Sequence, residues 1–170
     1  KEREDELRRF RQAAEAAGHA MYYTDRDGTI EYVNPAFEAI TGYSANEAVG
    51  SYPRTLKSGE MSDEFYEDLW STLLNGNGWE AEVINRRKNG ENYTAHQTIS
   101  PIKVDDEIDG FVAIQTDISD RKALEAHLKT SLTQLKVMDR VLRHNLRNDM
   151  NVIIANAETI QATDAADGAE

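Results

Sequence analysis

From Leu124 onward the apolar residues hold to one face of a single helix. Leu124, Leu128, Ser131, Leu135, Met138 and Leu142 recur in alternating steps of four and three, and Leu146, Met150, Ile153, Ala157 and Ile160 carry the stripe further. Positions three and four apart share a side only in a helix of about 3.6 residues per turn, so the last part of the chain is expected to be one long rod. A seam of this period, too narrow to bury itself, calls for a second copy. The pattern predicts a parallel homodimeric coiled coil. Two steps of four in succession, through Met138, Leu142 and Leu146, form a stutter that locally unwinds a supercoil.

His144 lies two residues past Leu142, about 200° around the helix, and so on the water-facing side. Asn145, Arg147 and Asn148 flank it. The run His144-Asn-Leu-Arg147-Asn-Asp-Met-Asn-Val-Ile153 resembles the phosphoacceptor box of sensor histidine kinases. That resemblance implies an exposed imidazole as phosphoryl acceptor. Arg147, one turn on, is placed to hold the incoming phosphoryl group by charge-assisted hydrogen bonds. The family's acid after the His is Asn145 here, and its Thr-Pro is Asn148-Asp149. An amide can orient the imidazole but cannot take its proton.

Acidic residues number 31 against 19 basic, a net charge of −12. That argues against nonspecific nucleic-acid binding, which needs cations to neutralise phosphates. It suits adaptation to high salt, where self-repulsion is screened. With no cysteine, disulfides, thiolate metal sites and thiol nucleophiles are ruled out, and no metal site is expected. No apolar run is long enough for a membrane span and no signal peptide is visible, so membrane insertion is not expected and the cytoplasm is the expected compartment. The start at Lys1 and the end after Asp164–Glu170 read as those of an excised fragment.

Before the rod, Lys1–Ala17 reads as a helix with Leu7, Phe10, Ala14 and Ala17 on one face. Strands are expected over Ala20–Thr24 and Thr29–Val33. Asn34, Ser44 and Ser62 are expected helix caps, Asn34 followed by Pro35 at the first helical position. Three more strands follow, Trp79–Arg87, Glu91–Val104 and Ile108–Ile118, the first pair joined through Lys88-Asn-Gly90 and the second through the acidic turn Asp105–Glu107. This is an α+β pattern.

Tyr32-Val-Asn-Pro-Ala-Phe37, Thr41-Gly-Tyr43, Asn85-Arg-Arg-Lys-Asn-Gly90, Ile99-Ser-Pro-Ile102 and Thr116-Asp-Ile-Ser-Asp-Arg121 together resemble a PAS domain over about residues 20–119. The resemblance implies a five-stranded antiparallel sheet with short helices on one face, flanked here by an N-terminal helix and a long coiled-coil helix. The implied organisation is a helix over 1–18, a sensor over 19–118, a signalling helix over 119–140 and the first part of a phosphoacceptor domain over 141–170. It implies an ion pair between Asp117 and Arg121 that ties the sheet to the outgoing helix.

The pocket residues also resemble those of flavin-binding PAS domains. On that resemblance Asn85 and Gln115 meet the flavin ring, Trp70 contacts it, and Arg54 meets a phosphate of FMN or FAD. Pro53 stands where light-sensing members of the LOV type have their reactive Cys, and Ala95 where they have a second flavin-binding Asn. None of His19, His96, His127 and His144 falls on the long pocket helix that usually supplies a haem ligand.

The combined reading is the sensory and phosphoacceptor fragment of a cytoplasmic histidine kinase that senses a ligand or redox state. A response regulator is the implied partner. No nucleotide-binding motif occurs, so ATP would act only through a kinase domain outside this sequence, and the fragment should be inactive alone. The alternative is a noncatalytic PAS dimerisation or interaction module.

Overall fold

The computed structural model describes residues 2–167; the side chains of 2–4, 7, 10 and 159–167 are outside that description, and with them Leu7, Phe10 and Ile160 of the expected stripes. The chain divides into two units, residues 1–122 and 123–170.

In the first unit, α1 (Glu2–Ala16) leads into β1 (Ala20–Asp25) and β2 (Ile30–Val33). Three short elements follow: α2 (Pro35–Thr41), α3 (Ala45–Ala48) and a 3-10 turn over Pro53–Leu56. Then come α4 (Asp63–Leu74), β3 (Trp79–Arg86), β4 (Asn92–Val104) and β5 (Glu107–Asp117). The five strands form one sheet in the order β2-β1-β5-β4-β3, with all pairs antiparallel. This is the expected five-stranded architecture.

The helix starts are set by the side chains expected to set them. Asn34 Oδ1 accepts from Phe37 N at 3.0 Å, Ser62 Oγ accepts from Phe65 N at 3.3 Å, and Ser44 N donates to the Glu47 carboxylate at 3.0 Å. Asn34 does more than cap. It is buried, its Oδ1 also accepts from Met21 N at 2.8 Å, and its Nδ2 donates to Ala14 O and His19 O, both at 2.9 Å. One amide thus fastens the last turn of α1 to β1 and to the start of α2.

The helices cover one face of the sheet. Phe37, Leu56, Leu69 and Leu73 pack there against Trp79, Ile99 and Phe111. Gly110 lies where β5 crosses β1 so closely that a Cβ would sit 2.2 Å from Thr24 O, which only a glycine avoids.

The long helix, α5 (Ser119–Asp167), begins in the first unit and makes up the described part of the second. The seam residues Leu124, Leu128, Leu135, Met138, Leu142 and Leu146 are each 57–68% exposed. No described helix is long and apolar enough to cross a membrane.

Candidate functional site: a cavity between the sheet and its helices

Between the inner face of the sheet and the covering helices lies a cavity of about 360 Å³. The four residues singled out as ligand contacts, Arg54, Trp70, Asn85 and Gln115, all line it, as do Pro53, Tyr22 and Gln97. Asn85 and Gln115 are buried in the wall. Trp70 is at the rim, 44% exposed, edge-on to Phe111 with ring centroids 5.9 Å apart. Arg54 stacks over Tyr52 at 4.7 Å. Ala95 is fully buried but packs with Val83 and Tyr93 and does not line the cavity.

The mouth is clasped to the sheet. Lys57 makes an isolated bridge to Asn85, Ser58 Oγ donates to Ile84 O at 2.5 Å, and Arg86 donates to Lys57 O at 3.3 Å. The segment carrying Arg54 is thereby held next to the strand carrying Asn85.

The polar wall is a continuous hydrogen-bonded row across three strands. Tyr93 Oη donates to Gln115 Oε1 at 3.0 Å, Gln115 Nε2 donates to Gln97 Oε1 at 2.9 Å, and Gln97 Nε2 donates to Tyr22 Oη at 3.3 Å. Asn85, the cross-strand neighbour of Tyr93, also hydrogen-bonds its phenol. Burial raises the Tyr93 hydroxyl to about 12 against the pull of Asn85 and Arg87. It also drives Tyr22 far above the ordinary phenol value, with nearby Tyr93 adding to the rise. Both phenols therefore stay neutral at physiological pH, Tyr93 as a donor and Tyr22 as an acceptor in this row. Tyr22, Tyr93 and Gln97 were not singled out from the sequence, although the alternation of β4 puts Tyr93 and Gln97 on the face of Ala95 and Ile99.

The expected pair of Asp117 with Arg121 is corrected by the structure. Asp117 is held by Arg87, with Nη2 to Oδ2 at 2.5 Å, and Arg121 lies 3.7 Å from Glu82. The reason is geometric. The Asp117 carboxylate turns back to accept from Ser119 N at 2.9 Å, capping α5, and so faces the β3–β4 hairpin rather than the next helical turn. Burial alone would raise this carboxyl, but the Arg87 guanidinium and the Ser119 donors outweigh it and hold the carboxyl below its ordinary value.

In the second unit His144 is exposed. The side chain that reaches its ring is Asn148, 3.2 Å from Nδ1, rather than the adjacent Asn145 expected to orient it. Residues four apart are neighbours on a helix, whereas the next residue points about 100° away.

The size and chemistry of the cavity suit a small flat ligand. Its volume falls in the usual range of about 300–1,000 Å³ for small-molecule sites, and an apolar floor faces amides and phenols on one side. A heteroaromatic ring with donors and acceptors along one edge, such as a flavin, fits that donor set. Asn85 and Gln115 would meet its polar edge and Arg54 an anionic tail. Pro53 at the mouth supplies no thiol for a covalent adduct.

A five-stranded antiparallel sheet cupped by helices around a polar-walled cavity, with a helix leaving its last strand, is the architecture of a sensory α+β domain. The PAS-domain family pattern matches residues 18–120, and the chain belongs to that family. Among curated proteins, it is similar to the nitrogen fixation regulatory protein of Klebsiella oxytoca, 34% identical over 125 residues, which is 73% of this chain and 25% of the relative. It is also similar to the bacterioopsin transcriptional activator of Halobacterium salinarum, 30% identical over 136 residues, 79% of this chain and 20% of the relative. Among solved structures, it is similar to the LOV domain of the Erythrobacter litoralis EL346 blue-light activated histidine kinase. The identity is 31% and the TM-score 0.56, covering 59% of this chain and 96% of that one. The chain therefore spans a quarter or less of the length of these two curated relatives.

Proposed function

We propose that this chain is the sensory and phosphoacceptor part of a histidine kinase: the PAS cavity takes a flavin or a similar flat ligand, α5 pairs with a second copy, and His144 receives phosphate. The observation that carries this reading is one continuous helix. It starts at the cap made by the last strand of a sensory domain and bears, further on, an exposed histidine with an amide at its ring. Similarity to the LOV domain of a blue-light activated histidine kinase supports it.

Asn148 gives the imidazole a usable state. Its amide can meet Nδ1 in either sense, and with the oxygen turned to the ring it accepts Nδ1–H. The lone pair is then on Nε2, which becomes the nucleophilic nitrogen of an exposed ring. Phosphoryl transfer rests mainly on positioning and electrostatics, so an amide at position 145 slows transfer rather than abolishing it. Arg147 holds the phosphoryl oxygens. The seam on α5 gives the second copy its docking face, and the stutter at Leu142 is the place where two packings can interconvert.

At the cavity, Asn85 and Gln115 orient the ring while Arg54 and the clasped mouth hold the tail. A flavin bound there would supply redox- and light-responsive chemistry without a thiol adduct.

The test uses the full-length kinase. With ATP it should acquire acid-labile, base-stable phosphate, and His144→Gln should abolish the label. Label that persists in His144→Gln removes the phosphoacceptor assignment and leaves the noncatalytic PAS module. Separately, the purified protein should be yellow and Asn85→Ala should lose the colour; a colourless protein that takes up no added FMN or FAD removes the flavin.

A further inference from the structure

Tyr93 is the one member of the hydrogen-bonded wall that does not itself line the cavity. It stands behind Gln115 and Asn85, and its far side faces Arg87, whose guanidinium carbon lies 4.4 Å above the centre of the phenol ring. Arg87 is mostly buried and spans three other groups: it donates to Ile40 O at the end of α2, pairs with Asp117 and approaches Glu91 at 3.7 Å. Asp117 in turn caps α5 through Ser119 N. Ser119 Oγ closes the circuit by accepting from Thr94 N at 3.0 Å, and Thr94 follows Tyr93 in the chain.

We infer that Tyr93 is a positioning residue that couples the hydrogen-bonding state of the cavity wall, through Arg87 and Asp117, to the cap that fixes the start of α5. The inference rests on the sensory reading of the cavity and names how that cavity addresses the output helix. A ligand that draws the Gln115 amide toward itself takes the acceptor from Tyr93 Oη. The phenol then shifts, and the guanidinium stacked on it shifts too, because a cation is attracted to the ring face. Arg87 cannot move without changing its hold on Asp117, and the Asp117 carboxylate is the acceptor for the first backbone N–H of α5. The two ends of Tyr93 can be altered separately: Tyr93→Phe removes the hydroxyl and keeps the ring under Arg87, and Tyr93→Leu removes both.

Amide hydrogen exchange in the ligand-free chain tests the coupling, with Ser119 N–H as reporter of the cap and Phe37 N–H, held by Asn34, as reporter of general opening. The perturbation is Gln115→Met, which keeps the volume and removes the amide. In the native background it should speed exchange at Ser119 by about threefold or more and leave Phe37 unchanged. In the Tyr93→Phe background it should add nothing at Ser119. Tyr93→Leu should speed Ser119 exchange more than Tyr93→Phe does. Should Gln115→Met not fold, the two Tyr93 variants decide by that order. Equal acceleration at Ser119 and Phe37 would mean a general loss of stability and overturn the coupling, as would additive effects of Gln115→Met and Tyr93→Phe. No ligand is added, so failure to bind flavin leaves this result standing, and failure here leaves the flavin assignment standing.

Discussion

At the scale of single residues, most of the work of joining elements falls to a few side chains that use all their hydrogen-bonding capacity. Asn34 makes four such bonds from a buried position. Asn34→Ala strips the side-chain partner from two backbone donors and two carbonyls, of which Phe37 N and Ala14 O keep a backbone partner, so it should cost about 2–3 kcal/mol in urea denaturation, more than a cap alone at about 1 kcal/mol. The cap was legible in the sequence, because Asn before Pro at a helix start has few other meanings. Its hold on Ala14 and His19 was not: the end of the preceding helix was read to within a residue, but nothing local says that its last turn lies against Asn34. Asp117 makes the same point. An Asp and an Arg four residues apart invite pairing, and only the return of the β3–β4 hairpin shows Arg87 to be nearer. Because its folded carboxyl is held below the ordinary value, Asp117 contributes stability above about pH 4 that is lost as the pH falls through the depressed value. In Arg87→Gln burial is opposed by the Ser119 donors alone and the carboxyl should rise. The variant should then be less stable than the native chain near pH 7, with the gap closing toward pH 2; a gap that does not depend on pH would deny the pair this role.

At the scale of elements, the strands were read correctly from alternation and the Lys88-Asn-Gly90 turn, and the alternation of β4 through Tyr93, Ala95, Gln97 and Ile99 is its buried face, but the register of β4 on β5 was not legible. Counting back from the tight turn between Val104 and Glu107 pairs Gln97 with Ile114. An irregularity between Ile102 and Lys103 moves the register by one, so Gln97 faces Gln115 instead. That single shift builds the amide row, and a bulge leaves little trace in composition. The turn itself is strained: Asp105 and Asp106 both have positive φ, 51° and 65°, in adjacent like-charged residues. Glycine adopts that backbone freely, so Asp106→Gly should stabilise the domain by about 0.5–1 kcal/mol, read as a higher urea midpoint. The seam of α5 was legible as a period because it repeats. In the proposed homodimer Leu135→Asp places a charge in the seam and should weaken association by several kcal/mol at most, shifting sedimentation at a fixed concentration from dimer to monomer. A native chain that sediments as a monomer at high concentration and high salt would remove the seam.

At the scale of the whole molecule, the net charge of −12 sets repulsion against a set of exposed ion pairs such as Lys88–Glu47 and Lys122–Glu82. Exposed pairs are worth about 0–1 kcal/mol each and weaken with salt, while repulsion among the excess carboxylates is spread over the entire surface and is relieved by salt. Relief should prevail: the melting temperature should be higher in about 2 M KCl than in about 0.05 M, and a fall on adding salt would contradict this balance. The sheet order has a consequence of another kind. β1 and β5 are neighbours, Ala20 pairs with Gln115, and Thr116 Oγ1 lies 3.1 Å from His19 Nδ1, so the polypeptide comes into the domain and leaves it at the same corner. A body whose two ends meet can be spliced into a longer chain, or cut from it, with little loop-closure entropy at stake. The fold thus has the geometry of a cassette: it can be inserted or removed while the chain on either side keeps its place.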